Sequence, residues 1–66
     1  NDIEGSLKDY NAVEKLIPSY KMVHYIKGKL YIQIKEIDFA CEEFERALKH
    51  KIVVADQLNE EYCTSL

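Results

Sequence analysis

The chain has 66 residues, so it forms at most one small domain, whose hydrophobic core supplies little net stability. Its residues are 47% hydrophobic and 32% charged, which excludes both a disordered tail and a fibre. The formal net charge of −3 argues against a nucleic-acid partner, and no apolar run approaches the ~20 residues of a membrane span.

The first four residues and the two cysteines give information on the cellular location of the protein. The chain opens on acidic rather than basic residues, so no signal-peptide pattern is present and we expect a cytoplasmic protein. Cys41 and Cys63 form no CxxC pair and have no cluster of His or Asp at ligand spacing. We expect two small buried hydrophobic residues rather than a disulfide, and no metal site.

A first helix is predicted over residues 3–17. One apolar face recurs at steps of three and four residues, formed by Ile3, Leu7, Tyr10, Val13 and Ile17. Asp2 or Ser6 is the predicted N-cap, and Pro18 ends the helix because its ring clashes with the preceding turn.

A second helix is predicted over residues 20–35, with Ser19 as its N-cap. It is apolar around so much of its circumference that it needs two neighbours, one on each face. Gly28 lies in mid-helix, where glycine costs about 1 kcal/mol relative to alanine. We therefore expect Gly28 to admit the close approach of a facing helix.

A third helix is predicted over residues 37–50 and a fourth over 53–65. The third has an apolar face made of Ile37, Ala40, Cys41, Phe44, Ala47 and Leu48. Its opposite side is expected to lie in water and carries Glu42, Glu43, Glu45 and Arg46. The fourth continues through Leu58 and Tyr62 to a chain end without a stop signal, so we expect the chain to end inside an element.

Small and aromatic residues within 21–54 follow a fixed spacing. Within this stretch of about 34 residues they are Gly28, Tyr31, Ala40, Phe44 and Ala47. This stretch resembles one tetratricopeptide repeat, and Pro18 fills the family's proline position one period earlier. The helices on either side resemble the adjoining half repeats.

Four residues depart from the family pattern. His24 and Lys27 stand where the family favours large apolar residues, and Lys35 stands where the turn between the two helices often has glycine. Ile52 stands where the family has proline near the end of the repeat. The five residues that control how closely the helices approach still match.

The resemblance implies an all-α fold, in which antiparallel helical hairpins stack as a fragment of a right-handed solenoid with about four helices. It also implies a protein-binding scaffold with a concave groove. We expect no cofactor, and the charge and hydropathy of the chain predict no nucleic-acid and no membrane partner. By position, the groove residues are Met22, Tyr25, Lys29, Ile32, Gln33, Asp56, Asn59 and Cys63. The family's Lys–Asn grip on a C-terminal carboxylate is not expected, because Tyr25 and Lys29 occupy those positions.

Several alternatives stay open at this stage. Met22 and Tyr25 either line a groove or pack on a neighbouring repeat. The chain is either a scaffold, a peptide-sensing regulatory domain of a larger protein, or a small self-associating bundle with a structural role. Because arrays usually need ~3 repeats, we expect a fragment of a longer array or a homo-oligomer. We expect no enzyme, since His24 and His50 lack a local catalytic partner.

Overall fold

The computed structural model describes residues 2–63, and within that range it is all-helical with no strand. The prediction of an all-α chain is therefore confirmed. Its helices are α1 Ile3–Leu16, α2 Met22–Gln33, α3 Ile37–Lys49 and α4 Ala55–Cys63. The helix predicted over 53–65 begins two residues later than expected, and its residues 64 and 65 lie outside the described part of the chain.

The two ends of α1 follow local rules. The Asp2 carboxylate accepts a hydrogen bond of 2.9 Å from the Gly5 backbone N–H, so Asp2 rather than Ser6 is the N-cap. At the other end the Ile17 N–H donates to the Val13 carbonyl at 2.8 Å, and Pro18 follows directly. The predicted stop at proline is confirmed.

The predicted cap of α2 is wrong. Helix α2 begins at Met22 with Lys21 as its N-cap, and no side chain caps it. Ser19 lies instead with Pro18 in a turn. A hydrogen bond of 3.0 Å from the Tyr20 N–H to the Ile17 carbonyl closes this turn. The turn therefore lies where α2 was predicted to begin, and the helix starts at Met22 instead of residue 20.

Helices α2 and α3 end in the same way. Lys35 and Lys51 follow them with φ of 63° and 65°, which is the left-handed region. The backbone N–H of Lys35 donates to the Ile32 carbonyl, and that of Glu36 donates to the Tyr31 carbonyl. The end of α3 has the same pair of backbone hydrogen bonds. Each lysine thus adopts a conformation that glycine adopts more easily, at a cost of roughly 1 kcal/mol. The departure at Lys35 is therefore accommodated without losing the turn.

The core lies between α3 and the two helices that cover it. Ala40, Phe44 and Ala47 on α3 are fully buried, as the apolar spacing predicts. They form one cluster with the buried Ala55 of α4, and half-buried side chains from α2 and α4 pack against it, including Tyr25, Tyr31, Ile32, Leu58 and Cys63. Helices α2 and α4 therefore lie over the same face of α3, while α1 packs on α2.

Gly28 sits where α2 and α3 approach most closely. A Cβ atom at this position would lie 2.8 Å from Cδ1 of Phe44 and nearer still to Cε1. Phe44 is itself fully buried, so its ring has little room to move. The expectation that Gly28 admits a facing helix is confirmed.

We predict that Gly28→Ala destabilises the fold by about 1–3 kcal/mol, since the added methyl group overpacks the core. This loss outweighs the gain of about 1 kcal/mol that alanine brings in helix propensity. Urea denaturation followed by circular dichroism measures the change. The matched test is a double-mutant cycle with Phe44→Leu, which removes the ring and should recover part of the loss. A Gly28→Ala chain as stable as the parent would contradict the close approach.

Candidate functional site

The predicted groove residues fall on α2 and α4, the two helices that pack against α3. We call these eight residues the α2–α4 surface: Met22, Tyr25, Lys29, Ile32 and Gln33 on α2, and Asp56, Asn59 and Cys63 on α4. Lys29, Gln33 and Asp56 are exposed, whereas the other five are partly buried. The surface therefore combines half-buried apolar side chains with exposed polar ones.

Tyr25 serves both the core and the surface. Its ring is tilted against that of Phe44 with the centroids 6.4 Å apart, and it remains partly exposed. On the exposed side the Lys29 ammonium lies 5.2 Å from the Tyr25 ring centroid, within the range of a cation–π interaction. Tyr25 therefore packs on Phe44 within its own hairpin, and the two alternatives for its exposed side, a groove or a neighbouring repeat, stay predictions.

Cys63 has a different role from the one predicted. It forms a disulfide with Cys41, with the two Cα atoms 5.7 Å apart. The expectation of two unbridged cysteines is wrong. The two residues lie 22 positions apart in sequence, and they meet because α4 turns back along α3. Cys63 therefore links α4 covalently to α3, and its sulfur is not free to contact a ligand.

A cluster of three ionisable side chains lies buried between the helices. His24, Lys27 and Glu43 are 4%, 3% and 5% exposed. One Glu43 carboxylate oxygen lies 2.8 Å from Nδ1 of His24, and the other lies 3.4 Å from the Lys27 ammonium. The expectation that Glu43 lies in water is wrong. It occupies the core side of α3 and meets the two α2 residues that depart from the family's apolar pattern.

Lys27 extends this cluster to α1. Its ammonium donates to Asn11 at 2.9 Å and to Glu14 at 2.6 Å. The Lys27 hydrogen bond lowers the pKa of Glu14, which favours the ionised carboxylate. Within the described part of the chain, every buried side-chain nitrogen and oxygen has a hydrogen-bond partner. The cluster therefore joins α1, α2 and α3 through satisfied charges.

The His24–Glu43 pair gives His24 the carboxylate partner that local spacing did not reveal. A buried carboxylate beside imidazole is an arrangement that enzymes also use. Here the imidazole is nearly inaccessible to solvent, and its ring stacks with that of His50 at 6.3 Å. In this structure His24 is buried between Glu43 and His50.

Two shallow depressions lie outside the α2–α4 surface. Charged side chains line the first, which are Glu42, Glu45, Arg46 and Lys49. Charged and polar side chains line the second, which are Asn11, Glu14 and Lys15. Within residues 2–63 no group of three or more His, Cys, Asp or Glu is placed to hold a metal ion.

None of the helices described here is both long and apolar enough to cross a membrane. No protein-family model, curated protein or solved structure shows a significant match to this chain. The tetratricopeptide resemblance therefore stays a prediction that rests on the spacing of the residues named above.

Proposed function

We propose that this chain is a protein-interaction module that binds an extended or helical peptide segment of a partner across the α2–α4 surface. The observation that supports this most directly is the exposed half of Tyr25, which carries the Lys29 ammonium over its ring. A fixed aromatic ring with a cation beside it can bind an apolar side chain together with an acidic or carbonyl group.

The neighbouring residues extend the same chemistry. Met22 and Ile32 are partly buried apolar side chains on α2, and methionine adapts its shape to different ligands. Asp56 and Asn59 on α4 offer a carboxylate and an amide, which can pair with the backbone or with basic groups of a peptide. An anchor of this kind with polar groups beside it is typical of helical grooves that bind peptides.

The proposal includes the solenoid arrangement. In the structure α1 packs on α2, α2 on α3, and α3 on α4, and the Cα atoms fill a flat body of 33 × 27 × 14 Å. A thickness of 14 Å fits two layers of helices, given spacings of about 8–10 Å between packed helices. Further hairpins of a longer array, or a second copy, would stack beside α1 and α4.

The test starts from peptides selected by this chain out of a random display library, with affinities then measured by calorimetry. We predict that Lys29→Glu and Asp56→Lys each weaken binding at least tenfold, because both residues are exposed on the α2–α4 surface. The matched controls are Lys8→Glu on α1 and Glu45→Lys on α3. They carry the same changes of charge at exposed positions outside that surface and should bind as the parent does.

Equal weakening in the surface variants and the controls would reduce the effect to overall charge and contradict the proposed groove. A library that yields no specific binder would contradict the function itself. Tyr25→Ala is unsuitable as the main variant, because the loss of its contact with Phe44 would also destabilise the fold.

A further inference from the structure

Large apolar side chains are exposed at one end of the molecule, on and beside two connections between helices. Residues 17–21 join α1 to α2, and residues 50–54 join α3 to α4. We call these two connections, together with the helix ends Lys15, Leu16 and Lys49, the end surface; its exposed apolar side chains are Leu16, Ile17, Tyr20, Val53 and Val54. Leu16 and Val53 are the most exposed, at 80% and 72%. Side chains of this size left in water mark a contact surface when they cluster.

The two connections are neighbours in space. Successive helices joined by short connections run in opposite directions, so the end of α1, the start of α2 and the end of α3 meet. The stacked rings of His24 and His50 place the start of α2 beside the end of α3. Partial desolvation lowers the pKa of His50, and the charges of Lys21 and Lys49 lower it further. The ring contact between His24 and His50 thus brings the two segments together.

Lysines dominate the charge of the end surface. It contains the four lysines Lys15, Lys21, Lys49 and Lys51 and no Asp or Glu, and it is bordered by Glu14 on α1 and Asp56 on α4. Because the whole chain carries a formal charge of −3 and these segments carry four positive charges, the remainder carries −7. The molecule is therefore strongly polarised, with a basic apolar end on an acidic body.

We propose that the end surface binds an anionic lipid surface. Lysines near such a surface strengthen binding about fivefold each, and apolar side chains beside them insert between the headgroups. The acidic body would be repelled by the same lipids, so the molecule would bind with this end toward the membrane. The expectation of no membrane partner rested on the lack of a spanning run, which an interfacial contact does not require.

Two features favour lipid over an acidic peptide as the occupant. The exposed apolar side chains lie on and beside two connections at an end of the body, where a flat interface can meet several of them at once. The end surface also shares no residue with the α2–α4 surface proposed to bind peptides, which it borders at Met22 and Asp56. Stacking of further hairpins would cover helix faces and leave these connections at the edge, so the inference holds with or without a longer array.

The test is co-sedimentation of the 66-residue chain with phosphatidylcholine vesicles, prepared with and without phosphatidylglycerol. We expect binding to the anionic vesicles alone, with a steep loss at higher salt. The double variant Lys21→Glu/Lys51→Glu should lower vesicle binding at least tenfold, and Leu16→Ser/Val53→Ser should lower it as well. All four residues are partly or fully exposed, and circular dichroism verifies that the variants stay folded.

The control is Lys8→Glu/Lys35→Glu, which makes the same charge change at exposed lysines outside the end surface and should leave most of the binding intact. The inference is overturned if the parent chain does not bind anionic vesicles, or if the control loses as much binding as Lys21→Glu/Lys51→Glu. It is also overturned if an acidic peptide or a second copy occupies these lysines while vesicles do not. None of these three results would change the outcome of the peptide-binding test on the α2–α4 surface.

Discussion

Glu43→Ala is expected to destabilise the protein by about 3–5 kcal/mol, because it removes the carboxylate of a buried charge cluster, leaving His24 without its carboxylate partner and Lys27 with Asn11 and Glu14 alone. Lys27 would lose its 3.4 Å contact and His24 its 2.8 Å contact, and both side chains are almost fully buried. A domain of this size has a net stability of roughly 3–5 kcal/mol. Thermal melts followed by circular dichroism should therefore find the variant largely unfolded.

Two further variants make this prediction specific. Glu42→Ala removes a carboxylate from the next residue, which is exposed, and should change stability by less than about 0.5 kcal/mol. Glu43→Gln keeps the shape and the hydrogen-bonding oxygen but removes the charge, so its melting temperature should lie between those of the parent and Glu43→Ala. Equal stability of Glu42→Ala and Glu43→Ala would show that Glu43 lies in water after all.

Loss of the disulfide is the second large effect that we expect. Cys41→Ser/Cys63→Ser should destabilise the fold by about 3 kcal/mol, because the bond closes a loop spanning 22 positions and so restricts the unfolded chain. Helix α4 has nine residues, too few to persist without tertiary support. Urea denaturation of the oxidised parent and of the variant measures the difference.

Reduction of the parent with dithiothreitol serves as the matched test. It should lower the stability of the parent to that of the serine variant and leave the variant unchanged. An unchanged midpoint on reduction would contradict a disulfide that holds α4.

The cellular compartment determines whether this disulfide persists, because the cytosol keeps thiols reduced whereas oxidising compartments preserve such bonds. The cytoplasmic location expected from the sequence and a persistent bond between Cys41 and Cys63 do not fit together readily.

Periodicity was sufficient to predict the four helices and the apolar core of α3. However, Ile17, predicted on the apolar face of the first helix, follows α1 and is exposed because Pro18 ends the helix before it. The apolar steps along α3 correctly identify Ala40, Phe44 and Ala47 as core, since a helical face repeats every 3.6 residues. Gly28 was predictable because a glycine in mid-helix has a cost that close packing can explain. The stop at Pro18 follows from the geometry of its ring.

The buried cluster and the disulfide were missed because both depend on how separate helices meet. His24 and Glu43 lie 19 positions apart, and no local spacing pairs them. One signal was available: Glu43 follows Ala40 by three residues and precedes Ala47 by four, which puts it on the buried face of α3. His24 and Lys27 occupy positions of the facing helix where the family favours apolar residues. A contact between these two residues and Glu43 could therefore have been predicted.

The contacts of Lys27 also help to determine how the helices are aligned along their lengths. Its ammonium bonds to Asn11 and Glu14 on α1 and lies beside Glu43 on α3. Apolar packing is non-directional, and a shift of α2 by one turn, about 5.4 Å, could still bury a comparable apolar area. Such a shift would break all three polar contacts of Lys27 at once. Lys27 thus helps to fix the register of α1 and α3 against α2, together with the fit of Phe44 against Gly28 and the His24–Glu43 contact.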